Sequence, residues 1–395
     1  MKSVLSLSLL VWMLLSRHTS IAATEALLSV ASVPFGMGTL EVQYSLRMKQ
    51  AAWARPDEAA IMDCYHHLLE SDYSVLLSDL EDKKDSLLLN DWMFYTLVRS
   101  SVDAIFEKQK AFDKELIVWF LMSHAGFDTR LGYNENNAFL YLRSDEEVFG
   151  LPMIESRMRS YYHIPFPLRY PVESERVYLL SFEAMPGGRP LSFRWEDMPV
   201  LRPVPAEKKI EIRTEDTLYQ LSVQYDKAWV NTLAQQPVLS DAEYFNMPVS
   251  EILKNSLYPQ LARMVEGKTT RKALEILVAF TRSSFDYQDD MKAYGRSIPM
   301  TPDEVFHYRY SDCEDRAVLF AGLVHELLQL PVIVIAFPNH ITIGVGGEWD
   351  CADAVHYEGR KYCICDPTGP PHSTTLGEWP QGYENQSYIV IESRL

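Results

Sequence analysis

A cysteine, a histidine and an aspartate occur in this chain in an order that suits nucleophilic catalysis, beginning with YSDCEDRAVLF, Tyr310 to Phe320. A cysteine in the first turn of a helix faces backbone N–H groups and the positive end of the macrodipole, and both stabilise a thiolate. Its own N–H can help to form an oxyanion hole. A plainer reading is available: Ser311 and Glu314 have the S-x-x-E spacing of a capping box, with Cys313 a small residue at the second helical position. Asp312, Glu314 and Asp315 oppose activation, because neighbouring negative charge raises a thiol's pKa. An imidazolium, or Arg316 paired with a carboxylate, would have to offset them. A nucleophilic cysteine therefore demands a histidine.

The ten histidines differ in what they could reach. His325 lies three turns along the cysteine's own helix, His307 on the loop before it, and His356 near the turn Glu358-Gly359. His340 opens the strand HITIGV, just after Pro338 and Asn339, downstream of the helix and one apolar strand. Alternation puts His340, Thr342 and Gly344 on one face and Ile341, Ile343 and Val345 on the core face, so a base facing the helix start fits. A structural histidine is the other reading. Asp366 ends YCICDPTGP, where it could orient the imidazole or simply start an Asp-Pro-Thr turn.

These three residues need a helix, an antiparallel strand and a second strand end, and the pattern supplies all three. SEILKNSLYPQLARMVEG and TTRKALEILVAFTRSSF read as helices, and DYQDDMKAYGRSIPMTPDEVFHYRY as a loop long enough to be functional. The cysteine helix follows to about Leu328, then the buried-strand run PVIVIAF, then NHITIGV and KYCICD. Upstream, Asp57 to Phe112 is helical, DKELIVWFLMSHAG is a further helix, and FDTRLGY and NAFLYLRS are strands. From Val177 to Pro248 alternating segments such as KKIEIRT and YQLSVQYD suggest a small β module. The fold class is α+β.

Composition restricts partners. Lys plus Arg total 37 against 54 Asp plus Glu, a formal charge of -17, so phosphate backbones are repelled and nucleic acid is excluded as a partner. MKSVLSLSLLVWMLLS has a positive Lys2 and an apolar core too short to span a bilayer, which predicts a signal peptide over residues 1–22 cut near Ala22. No later segment reaches the length of a membrane span, and the mature protein is expected to be exported, in the periplasm or outside the cell. Five cysteines leave at least one thiol unpaired within a chain, and sequence does not say which of Cys351, Cys363 and Cys365 pair. The same three with His356 could be weighed for zinc, but no C-x-x-C spacing supports a metal. No metal or organic cofactor is expected.

SDCEDRAVLFAGLVHELLQLPVIVIAF, PNHITIGV and YCICDPTG together resemble the transglutaminase-like family of cysteine enzymes, relatives of the papain-like fold. The resemblance covers about Ser250 to Leu395 and implies Cys313 as nucleophile, His340 as general base and acid, and Asp366 as orienter. It implies an exported bacterial enzyme acting on a peptide or protein substrate, by hydrolysis or by transfer to an amine. The expected organisation is residues 23–176 as an N-terminal α+β region, 177–248 as the β module and 249–395 as the transglutaminase-like domain. AFDKELIVWFLMSHAGFDTRLGYNENNAFLYL runs parallel to the cysteine segment, with Ala111 falling where Cys313 is and Asn137 where His340 is. That region would then be a silent copy, although any helix followed by a hairpin gives a similar pattern. The alternative for the whole chain is a catalytically silent binding or scaffolding module.

Overall fold

The computed structural model describes residues 27–50, 56–213, 217–369 and 375–391, so the expected leader lies outside the described residues. The chain is a mixed α+β protein made of two compact units. Among the described residues no helix is long and apolar enough to cross a membrane.

The first unit runs to Asp145 and resumes over Leu151–Ser192. It begins with the hairpin of β1 (Leu28–Phe35) and β2 (Gly38–Ser45), whose alternation buries Val33, Phe35, Val42 and Tyr44. Four helices follow: α1 (Glu58–Leu69), α2 (Tyr73–Ser86), α3 (Asp91–Ile105) and α4 (Ala111–His124). The Asn90 side chain caps α3 by accepting the Met93 N–H at 2.9 Å. In α4 the run Leu116 to Met122 is buried throughout, so this helix is central to its unit. It feeds β3 (Thr129–Tyr133) and β4 (Ala138–Arg143). The short β5 (Val148–Phe149) belongs to the second unit. Then β6 (Met153–Ser156), β7 (Arg159–His163) and β8 (Tyr178–Leu179) complete an antiparallel sheet of order β6-β7-β4-β3-β8.

The second unit comprises Glu146–Gly150 and Phe193–Leu395. Its hairpin is β9 (Pro205–Arg213) with β10 (Leu218–Asp226), followed by α5 (Lys227–Leu233), β11 (Val238–Leu239) paired with β5, and α6 (Asp241–Tyr244). The segment read as a β module is therefore shared out: Tyr178–Leu179 joins the first unit's sheet, and the β9–β10 hairpin packs with the helices of the second. Helices α7 (Glu251–Val265) and α8 (Thr270–Ser283) start on Ser250 and Thr269, whose side chains accept N–H groups three residues on. The long loop is not bare. It carries β12 (Asp286–Tyr287), α9 (Asp290–Ala293), α10 (Pro302–His307) and β13 (Tyr310–Ser311), with β12 and β13 paired in parallel. Helix α11 (Cys313–Leu328) then leads into β14 (Val332–Phe337) and β15 (His340–Gly346). With β16 (Ala354–Tyr357), β17 (Arg360–Cys365) and β18 (Ile389–Ile391) these form an antiparallel sheet of order β16-β17-β15-β14-β18.

The two sheets have the same connectivity. In each, the strand after the central helix lies fourth, the next lies third, and the last strand closes the edge. Each unit also packs a preceding hairpin on helices that lead to that central helix. Ala111 is the first residue of α4 as Cys313 is the first of α11. Asn137 precedes β4 at the turn where, in the second unit, His340 opens β15.

Candidate active site

The start of α11 differs from the sequence expectation by one residue. Asp312, not Ser311, is the N-cap, and Asp315 supplies the returning carboxylate: its Oδ2 accepts the Asp312 N–H at 3.1 Å. Asp315 Oδ1 accepts the Met300 N–H at 2.7 Å, tying the preceding loop to the helix start. Cys313 is therefore the first helical residue, closer to the unpaired N–H groups than a second-position residue would be. Glu314 is released from capping, and the Cys313 thiol donates to its Oε2 at 3.0 Å.

The sulfur meets the sheet beside His340. The β15–β17 ladder runs from Gly346↔Tyr362 to Ile343↔Cys365, after which β17 ends and the chain turns through Asp366. The Ile341 N–H, in the part of β15 beyond that ladder, points at the Cys313 sulfur and favours its charged form. Burial outweighs it, and with the charges of Glu314 and Asp312 pushes the thiol well above its usual range.

His340 and Asp366 are brought together. His340 Nε2 lies 3.6 Å from Asp366 Oδ1, with the carboxylate almost fully buried. Thr368 completes the arrangement: its hydroxyl donates to Asp366 Oδ1 at 2.7 Å, its N–H donates to the same oxygen at 3.0 Å, and its Oγ1 is 3.5 Å from His340 Nε2. Burial acts to raise the Asp366 carboxyl, but the bonds from His340 and Thr368 hold it below the ordinary carboxylate range. Asp366 is thus an anion at neutral pH facing one imidazole nitrogen, and Nδ1 is left for a reacting group. The imidazole packs at one side of an aromatic pair, 4.9 Å from the Tyr383 centroid and 6.5 Å from that of Phe337, its partner across the β14–β15 register, with those two rings 4.8 Å apart. Tyr383 and Tyr287 both lie in the field of Cys313, and burial with that field raises both phenols.

Arg316 does not form the carboxylate pair that the sequence offered as one of two ways to offset the acids. It is buried and donates to Phe285 O at 2.6 Å, Ser311 Oγ at 3.2 Å and Thr368 O at 3.4 Å. Its effect is positional: it holds the turn after Asp366 against the first turns of α11. Arg282 reinforces that turn, Nε donating to Asp366 O at 3.1 Å. The acids stay largely uncompensated. Burial pushes Asp290 up to about 7 and, with Asp312, Glu314 up to about 8, while Asp312 and Asp315 are also raised by burial.

Among the remaining candidates, His307 Nδ1 lies 3.2 Å from the Tyr225 hydroxyl, and His356 is exposed on β16. Cys351 and Cys363 form a disulfide, which removes two sulfurs from the zinc set weighed in the sequence. Cys64 and Cys365 are buried, and Cys313 is the more accessible of the three free thiols. Sequence reasoning missed Thr368, although a threonine two residues after an aspartate is a turn signal, and opposite His340 it continues the β15–β17 register.

In the first unit the corresponding place is a cavity of about 340 Å³ lined by Ala111, Asn137, Glu115, Arg99, His163 and Phe166. Neither a thiol nor an imidazole occupies the two aligned positions, and the continuation of β7, Ile164-Pro165-Phe166, holds no acid where Asp366 follows β17. Comparison with known proteins found no family model, no curated protein and no solved structure that matches this chain.

Proposed function

We propose that the second unit is a transglutaminase-like cysteine enzyme acting on peptide or side-chain amides, with Cys313 as nucleophile, His340 as general base and acid, and Asp366 as orienter. The observation that carries this reading is the His340–Asp366–Thr368 cluster beside a cysteine whose sulfur faces the Ile341 N–H. The thiol is protonated at rest. On substrate binding its proton passes to His340 Nδ1 as Sγ bonds to the amide carbonyl carbon. The oxygen takes the charge near the Cys313 and Ile341 N–H groups. His340 then protonates the leaving nitrogen, the C–N bond breaks, and a thioester remains. Water attacking that thioester gives a hydrolase, and a lysine amine gives a crosslinking enzyme. Hydrolysis is the simpler outcome in the exported, water-filled setting that residues 1–22 suggest. The first unit is a non-reactive copy of the second, supported by its shared strand order and by Ala111 and Asn137 at the aligned positions.

One observation favours a second reading, a binding module without turnover: the thiol's hydrogen bond goes to Glu314 and not to His340. The two separate on an acyl donor such as p-nitrophenyl acetate. The enzyme reading expects an acyl adduct on Cys313 that is lost in Cys313→Ala and formed at least tenfold more slowly in His340→Ala. Acylation of Cys313 at the same rate with and without His340 supports the binding module instead.

A further inference from the structure

We propose that the cavity at the start of α4 binds a neutral primary carboxamide, such as the glutamine or asparagine side chain of a peptide. This goes beyond the catalytic reading and does not rest on turnover at Cys313. The cavity lies wholly within the first unit, and its volume of about 340 Å³ falls in the lower part of the range of roughly 300–1,000 Å³ for small-molecule pockets. Lys114 at its wall pairs at 2.9 Å with the exposed Asp103, so the cavity is reached from solvent on that side.

Most of its polar atoms are already committed. Arg99 donates to both Glu115 oxygens, Nη2 to Oε1 at 2.8 Å, and its Nε donates to the Tyr95 hydroxyl at 2.8 Å. Glu115 Oε1 also accepts the Leu140 N–H at 2.7 Å. Three groups are left. His163 Nδ1 lies 3.0 Å from Leu140 O, and a carbonyl only accepts, so Nδ1 carries the hydrogen. Burial favours the neutral ring, which leaves Nε2 as an acceptor with no partner among the described residues. The Asn137 N–H donates to Asn134 Oδ1 at 2.8 Å, but the Asn137 side-chain amide makes no hydrogen bond to the described residues. Lys110, the N-cap of α4, provides no capping side chain, so the first N–H groups of that helix lack a side-chain acceptor from it.

These groups complement a carboxamide. Its carbonyl oxygen can accept from the helix start or from Asn137 Nδ2, while its two N–H groups donate to Asn137 Oδ1 and His163 Nε2. Charge disfavours the isosteric carboxylate. Arg99 is cancelled by Glu115 and Lys114 by Asp103, while Asp113, 2% exposed in the first turn of α4, sets a further carboxyl near any anion. Phe112, Phe139 and Phe166 supply apolar wall for the methylene stem. Ala111 and Asn137 stand where the second unit has Cys313 and His340, so the amide is held with no nucleophile to attack it.

The test uses the full chain carrying Cys313→Ala, so that acylation cannot enter the readout. N-acetylglutamine methylamide is titrated and followed by saturation-transfer NMR, with N-acetylglutamate methylamide at neutral pH as the charged control. The glutamine compound is expected to show saturable transfer to its side-chain methylenes and to bind about tenfold more tightly than the control. Asn137→Leu is expected to weaken it about tenfold. Ala111→Phe, which fills the cavity without removing a hydrogen-bonding group, is expected to abolish transfer, and both variants to keep the circular dichroism spectrum. No saturable transfer overturns the proposal, as does equal affinity for the two compounds. Unchanged affinity in either variant places the amide outside this cavity and also overturns it.

Discussion

Glu314 sits on the sulfur that the chemistry needs, and its charge works against ionisation of Cys313. Glu314→Gln removes that charge while keeping the side-chain shape. If the thiol pKa falls by about one unit, the thiolate fraction rises about tenfold, and the loss of intrinsic nucleophilicity leaves roughly a threefold gain. Alkylation of Cys313 by iodoacetamide at pH 9, above the value of about 8 to which Glu314 is pushed, followed by mass spectrometry, is expected to show that gain; an unchanged or slower rate contradicts the assignment of Glu314. Thr368→Val removes the hydroxyl that donates to Asp366, leaving that oxygen with the N–H of residue 368 and His340. A stability loss of about 1–2 kcal/mol in urea denaturation is expected, with a smaller loss of acylation rate than for Asp366→Ala. At this scale the sequence indicated residue types well and pairings poorly. His340 and Asp366 could be singled out because each begins or ends a recognisable strand. The partners of Cys313, Arg316 and Thr368 depend on a one-residue shift of a cap and on where one ladder stops, and local spacing does not report either.

Helix starts and the loop before α11 control how the site is held. Asp315 satisfies two N–H groups, those of Asp312 and Met300, so Asp315→Ala leaves both unpartnered in the interior. A loss of about 2–4 kcal/mol in chemical denaturation is expected, and a loss under 1 kcal/mol contradicts the capping role. The capping carboxylate of α10 gives a pH signature. Glu304 accepts the Thr301 N–H and hydroxyl, both at 2.9 Å, yet burial outweighs them and pushes it up to about 7 from an ordinary 4.5. Below 4.5 the carboxyl is protonated in both folded and unfolded chains, and its contribution is fully present. As pH rises towards 7 the unfolded chain ionises first, so up to about 3 kcal/mol of stability is lost over that interval. Glu304→Gln is expected to flatten this part of the stability–pH curve, and an unchanged slope contradicts the assignment. Helices and buried strands here were legible from apolar periodicity. The short elements within residues 285–311 were not, because pieces of two to six residues have too few positions to show a period.

Across the whole chain, two units with one strand order carry different side chains at corresponding positions. The sequence hinted at this through Ala111 and Asn137, but the equivalence of the five-stranded sheets rests on long-range pairing that periodicity does not encode. For the same reason the hairpin β9–β10 read as a separate module, although it packs on α7 and α8. The Cys351–Cys363 bridge closes a short loop with a sequence separation of 12. Replacing both by serine is expected to cost up to about 3 kcal/mol in urea denaturation, and no loss contradicts a stabilising bridge. The central claim is that His340 activates Cys313 towards a carbonyl. The most direct measurement is the rate at which p-nitrophenyl acetate acylates Cys313 near neutral pH, followed by intact mass and peptide mapping in the parent chain and in His340→Ala. A single acyl group on Cys313, formed at least tenfold faster in the parent, is the predicted result; equal rates in the two proteins, or acyl groups scattered away from Cys313, contradict it.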